Sequence, residues 1–162
     1  MRLSLSCRAV ALGVSGLIAA GNAALAQPGL PPGRFGTSDI RKLQWIEGRW
    51  RGSAEGQRPF YEAYRAVNDS TIEITYYADS TFTRTTGGGR VYLSVGRVFH
   101  TAGPGVWGAS RIDDQGVYFV PERNARNTLS WARRGPDTWI ATLRSSATGQ
   151  EQVTIYEMHR IR

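Results

Sequence analysis

Cysteine is almost missing from this chain: the one present, Cys7, lies in the N-terminal apolar stretch, and no other follows in 162 residues. Beyond that stretch there can be no disulfide, no thiolate nucleophile and no cysteine metal ligand. Histidine is nearly as scarce. His100 and His159 stand 59 residues apart, which is not the spacing of a catalytic relay or a metal site. The nucleophile elbow of the α/β-hydrolases is missing, because Gly108-Ala109-Ser110-Arg111 lacks its frame. So is a phosphate loop: Gly87-Gly88-Gly89 lies between two strand-like runs, where no helix N-terminus is available, and it reads as a hairpin turn. Asp113-Asp114 and the sequon-like Asn68-Asp69-Ser70 both read as solvated turns.

A long hydrophobic run is also lacking. A membrane helix needs about 20 apolar residues, and the longest apolar stretch is the short one near the N-terminus, broken by Gly13, Gly16 and Gly21. Its context is that of a secretory leader. Arg2 and Arg8 supply the positive flank, residues 9–20 are mostly small and apolar, and Ala24-Leu25-Ala26 places small residues where a signal peptidase needs them. Cleavage is expected after Ala26, with Cys7 departing in the leader, and the protein is expected to be periplasmic or secreted. No stable membrane insertion is expected. The remaining 136 residues suffice for one domain with a single core.

Lysine is the third scarcity, Lys42 being the only one. After the leader the chain carries 18 basic and 13 acidic residues, a net charge of +5 borne almost wholly by arginine. These charges are dispersed rather than gathered in a stripe, so a solvated surface is expected and no nucleic-acid partner. No motif speaks to oligomeric state.

What is present is punctuation and alternation. Residues 27–37 hold three prolines and three glycines and read as a flexible linker, leaving 38–162 as the folded domain. Ser38 as N-cap, Asp39 in the first turn and the stripe Ile40, Leu43, Ile46 predict a short helix over about 39–46, stopped by Gly48. From Arg49 onward the apolar period becomes two. Ten strands are predicted, over 49–55, 59–67, 71–78, 81–86, 90–101, 106–112, 117–120, 128–134, 139–146 and 152–161. Ten short strands with short connections favour an all-β, single antiparallel up-and-down barrel with a short N-terminal capping helix, because closure removes exposed edges. A two-sheet sandwich is the alternative.

Gly48-Arg49-Trp50, at the start of the first strand after a helical approach, resembles the Gly-x-Trp opening of the calycins, the lipocalin and fatty-acid-binding superfamily. The longer Gly48-Arg49-Trp50-Arg51-Gly52 is similar to the first strand of the nitrobindin branch and of bacterial families of unknown function. The resemblance implies a calycin-like barrel in which Trp50 packs across the closed end and a late-strand arginine, Arg160 or Arg144, stacks on it. Gly48, Trp50 and Arg160 are thus structural candidates. Two departures concern the nitrobindin haem: Ala54 stands where that pattern has glycine, and His159 falls later in the last strand than an axial ligand would. No cofactor is expected.

Function in such a barrel lies in polar residues within strands. Glu62 and Tyr64 share one face of the second predicted strand. Arg84, Arg97 and Arg111 alternate with apolar or small neighbours, and Tyr76, Trp131 and Tyr156 supply aromatic walls. Turned inward, these eight residues would clamp the anionic end of an amphipathic small molecule and cover its apolar body. The expected function is an exported binder of such a ligand. The alternatives are a non-hydrolytic enzyme on the same scaffold, marked by Glu62 bonded to a tyrosine or arginine at the cavity floor, and an envelope interaction module with a filled core.

Overall fold

The computed structural model describes residues 34–146 and 149–162. The expected leader and residues 27–33 of the expected linker lie outside the described residues, as do Ala147 and Thr148 of the last turn.

The described residues form ten strands: β1 (Gly48–Ser53), β2 (Phe60–Asn68), β3 (Thr71–Tyr77), β4 (Thr85–Ser94), β5 (Arg97–Ala102), β6 (Gly105–Asp113), β7 (Gly116–Arg123), β8 (Asn127–Arg133), β9 (Thr138–Ser145) and β10 (Gln152–Ile161). Each pairs antiparallel with its sequence neighbours, and β1 closes on β10 with Trp50 opposite Arg160. The closed barrel answers the choice between barrel and sandwich. Inward positions are the large apolar ones, among them Ile72 and Ile74 on β3, Val91 on β4, Val98 on β5, Phe119 on β7 and Met158 on β10, all nearly inaccessible. Outward positions carry most of the charges, as a single-layered wall between a core and water requires.

Two strands differ from expectation. Residues 81–86 do not form one, and the glycine triplet is no turn: Gly87, Gly88 and Gly89 run through the middle of β4, paired with Tyr76, Thr75 and Ile74. A Cβ on Gly88 would strike the carbonyl of Ile74, and one on Gly89 that of Thr101. The triplet therefore allows close approach of neighbouring strands rather than a reversal. The real reversal interrupts the long run predicted over 90–101, at Val95 (φ 47°) and Gly96 (φ 73°), a two-residue hairpin with positive φ at both positions. Val95 is 98% exposed and sits where a β-branched residue is strained. One missed turn and one spurious turn offset each other, which is why the count of ten survived.

The helix also moved. α1 spans Thr37–Arg41 and is capped from Gly36, not Ser38, because the Asp39 carboxylate reaches back to accept the Gly36 N–H at 2.9 Å. A 3₁₀ turn over Gln44–Ile46 follows. The stripe of Ile40, Leu43 and Ile46 is buried and seals one end of the barrel. Phe35 packs on the same core, and its N–H donates to the Gly96 carbonyl at 2.9 Å.

At this closed end Trp50 is 1% exposed, its Nε1–H donates to the Ile46 carbonyl at 2.6 Å, and the Arg160 guanidinium lies 4.2 Å from its ring centre. Arg160 also donates to the carbonyls of Glu47 and Trp45. Gly48 has φ +120°, and a Cβ there would meet Arg160 Nη1. The glycine thus leaves room for the arginine that ties the last strand to the capping segment. Arg144 stands elsewhere, paired with Glu151 at 3.3 Å.

Candidate functional site

Strands β1, β3, β5, β7 and β9 run away from the sealed end, so the β1–β2, β3–β4, β5–β6, β7–β8 and β9–β10 connections lie at the other. Below them lies a cavity of about 430 Å³. Its rim includes the exposed Gln57 and Arg58 of the β1–β2 loop, and its floor is Trp139. The volume falls within the range of small-molecule sites, roughly 300–1,000 Å³.

The wall follows from strand parity. On β2 the residues Phe60, Glu62 and Tyr64 face inward, and Tyr61, Ala63 and Arg65 do not. Gly52 makes this possible on the β1 side, since any Cβ there would overlap the Phe60 ring. Phe60 in turn packs edge-on against Tyr156, with ring centres 5.3 Å apart. The first-strand pattern therefore contributes twice: Gly48 and Trp50 close the barrel, and Gly52 leaves space for one wall of its cavity.

Glu62 carries the charge in this site. Tyr64 donates its hydroxyl hydrogen to Glu62 Oε2 at 2.5 Å, and Tyr76 lies directly across the strand pair from Glu62. Burial pushes the Glu62 carboxyl up from 4.5 to about 7, with the Tyr64 hydrogen bond pulling the other way. Burial, then the charge of Glu62 and its hydrogen bond, hold the Tyr64 hydroxyl well above its ordinary range. Burial and the same charge raise Tyr76. Both phenols are neutral donors at physiological pH. Among the described residues no donor reaches Glu62 Oε1.

Opposite stands His100, which sequence reasoning passed over. It is 5% exposed, on the cavity wall, with the rings of Trp107, Phe119 and Trp131 at 5.4, 5.5 and 5.1 Å. Burial pushes its pKa down to about 4, against a smaller opposing effect of the Arg90 backbone, so the ring is neutral. Its Nδ1 and the Nε1–H of Trp139 have no hydrogen-bond partner among the described residues. The signal for His100 was its phase: it alternates in step with Val98, and both point inward.

Of the eight candidate ligand-binding residues, the cavity brings together Glu62, Tyr64, Tyr76, Trp131 and Tyr156. It does not include the three arginines. Arg84 is exposed in the loop before β4. Arg97 pairs outside with Glu122 and covers the Phe99 ring at 4.7 Å. Arg111 is exposed and lies 3.6 Å from Asp113. The physical reason is common to all: a buried guanidinium without a carboxylate partner is costly, and each finds water or an acid on the outer wall. The expected arginine clamp for an anionic group is therefore not built by these residues.

The nitrobindin resemblance would call for an axial histidine from a late strand, and His159 does not supply one. His159, on the last strand, points outward beside Glu157 at 3.6 Å and is half exposed, so it cannot serve the cavity. Among the described residues no group of three or more His, Cys, Asp or Glu is placed to hold a metal ion, and no helix is long and apolar enough to cross a membrane.

No known family's profile matches the chain, and no curated protein matches it. Among solved structures it is similar to a protein of unknown function from the DUF3598 family of Nostoc punctiforme PCC 73102, with a TM-score of 0.47 and 12% identity over 85% of this chain. The similarity covers 53% of that protein, so this chain spans about half its length. It is also similar to EF1p2_mFAP2b, solved bound to DFHBI, with a TM-score of 0.37 and 14% identity over 75% of this chain and 98% of that one. The functional reading rests on the barrel's own geometry.

Proposed function

We propose that this protein is an exported barrel that holds one small molecule in its interior. The observation that carries the reading is the cavity of about 430 Å³, walled by Phe60, Trp107, Trp131 and Tyr156 with the Glu62–Tyr64 pair set into that wall. An interior devoted to stability alone would be filled, and its carboxylate replaced by an apolar side chain, since voids and buried charge both cost stability. Export is supported by the leader pattern of residues 1–26. Native mass spectrometry of the protein purified from its own cell envelope tests the reading. A mature mass beginning at Gln27 with a bound small molecule is expected; a homogeneous ligand-free mass would count against it.

A second reading, proton-transfer catalysis in the same cavity, draws on one observation: a carboxylate with a pKa of about 7, held by a tyrosine at 2.5 Å, is poised as a base at neutral pH. Glu62 would take a proton from carbon beside a carbonyl and return it, the electron pair resting meanwhile on the carbonyl oxygen near the Tyr76 hydroxyl. Deuterium exchange into an aromatic ketone, followed by NMR, checks this. Exchange that persists unchanged in Glu62→Gln would exclude it.

A further inference from the structure

The polar groups on the cavity wall are asymmetric in what they offer a ligand. Tyr64 spends its only proton on Glu62 Oε2, so it has none for a ligand. Glu62 Oε1 accepts from no described residue, and because the half-buried Glu62 lines the cavity that oxygen is left to face its interior. The other titratable groups facing it do not supply a counter-charge: Tyr76 and Tyr156 are phenols, and His100 is held neutral by burial. Among the described residues the one cation lining the cavity, Arg58, is exposed at its rim. The same cavity wall carries the rings of Phe60, Tyr76, Trp131 and Tyr156, and an aromatic face presents the negative end of its quadrupole.

A carboxylate oxygen facing an aromatic-lined cavity with no cation beside it repels anions and attracts positive charge. An anionic head would have to lose its hydration beside Glu62 with no guanidinium to receive it, because Arg84, Arg97 and Arg111 are all on the outer wall. An ammonium would give Oε1 its missing hydrogen bond and neutralise the carboxylate in one contact.

From this arrangement we infer that the ligand is an organic amine, bound as its cation, with the ammonium on Glu62 Oε1 and an apolar or aromatic body against the Trp131 side of the cavity. The inference rests on the ligand-binding reading and names the ligand's class. It reverses the anionic expectation drawn from the arginines in the sequence.

The test is a calorimetric titration with three probes that share one aromatic body: 2-(1-naphthyl)ethylamine, 2-(1-naphthyl)ethanol and 1-naphthylacetate. At about pH 8, where Glu62 is mostly ionised, the amine should bind about tenfold or more tighter than the alcohol, and the carboxylate weakest, as a charge-assisted bond implies. Glu62→Gln, nearly isosteric, should remove most of the amine's advantage and leave alcohol binding within about threefold. Should that variant fail to fold, the order of the three probes on the wild-type protein still decides. Equal binding of all three, or tightest binding of the carboxylate, would overturn the amine assignment while leaving a ligand cavity in place. If none of the three binds, the ligand-binding reading itself falls.

Discussion

The two ends of the barrel are made of the same kinds of residue and behave differently. At the closed end, Trp50 gives its N–H to Ile46, Arg160 covers its ring and gives hydrogens to Glu47 and Trp45, and the apolar stripe Ile40, Leu43 and Ile46 of α1 and the following 3₁₀ turn seals the opening. Toward the open end the tryptophans and tyrosines leave a space between them; Nδ1 of His100 and Nε1 of Trp139 on its wall have no partner among the described residues, and neither has Nε1 of Trp45 beside the seal. Aromatic content alone therefore does not separate a plug from a site. What separates them is whether the fold fills the space between the rings, because an empty space costs stability and needs a reason to persist.

The strongest test of this contrast is Trp50→Ala. It should cost about 3–5 kcal/mol of stability in urea unfolding, as for removal of a fully buried large aromatic. The remaining folded protein should bind amine probes nearly as before, because Trp50 is not on the cavity wall. A folded variant that has lost binding would move the plug into the site.

Next in size is Glu62→Gln. The folded protein holds the Glu62 proton more tightly than the unfolded chain, about 7 against 4.5. Its ionisation therefore lowers stability as pH rises from about 4.5 to 7, and the loss stays constant above that. Replacing it by glutamine should raise stability at about pH 8 by up to about 3 kcal/mol, with the gain shrinking toward zero near pH 4.5. Thermal unfolding of both proteins across this range measures it; a gain independent of pH would show that Glu62 is not buried with its charge.

Tyr64→Phe should cost about 1 kcal/mol through the lost hydrogen bond and move the Glu62 pKa upward, since Tyr64 is the group that pulls it down. The carboxyl carbon chemical shift of Glu62 followed against pH reads this directly. The smallest effects belong to the outer wall. Arg97→Ala and Arg111→Ala should each change stability by about 0–1 kcal/mol, as for surface ion pairs, and leave ligand affinity untouched. A loss of binding in either would place an arginine inside the cavity.

Much of the architecture could be read from the sequence, and the reasons are local. Period-two alternation marks a wall with a wet side and a dry side, so the order of strands from β1 to β10 followed from it. The strand boundaries near residues 81–101 did not, because the glycines of β4 answer to carbonyls on the neighbouring strands, which only the fold brings near, and because Val95 is a turn residue that no composition rule would choose. The site divides in the same way. Glu62, Tyr64, Tyr76, Trp131 and Tyr156 were legible as polar and aromatic residues in strands. Arginines within alternating runs looked the same, and only the partners on the outer wall, Glu122 for Arg97 and Asp113 for Arg111, show where they belong.

The contacts among the tryptophans carry a consequence for observation. Trp139 lies within 5.6–6.0 Å of Trp45, Trp50 and Trp131 at steep interplanar angles, so four of the five indoles of the chain form one continuous cluster from the seal to the cavity wall. At such separations the electronic transitions of neighbouring indoles couple, and an exciton signature should appear in the circular dichroism of the folded protein. One end of the cluster is locked by Arg160 and the other borders empty space, so occupancy should perturb the Trp131 contribution and spare that of Trp50. The barrel thus carries its own optical reporter of whether it is full.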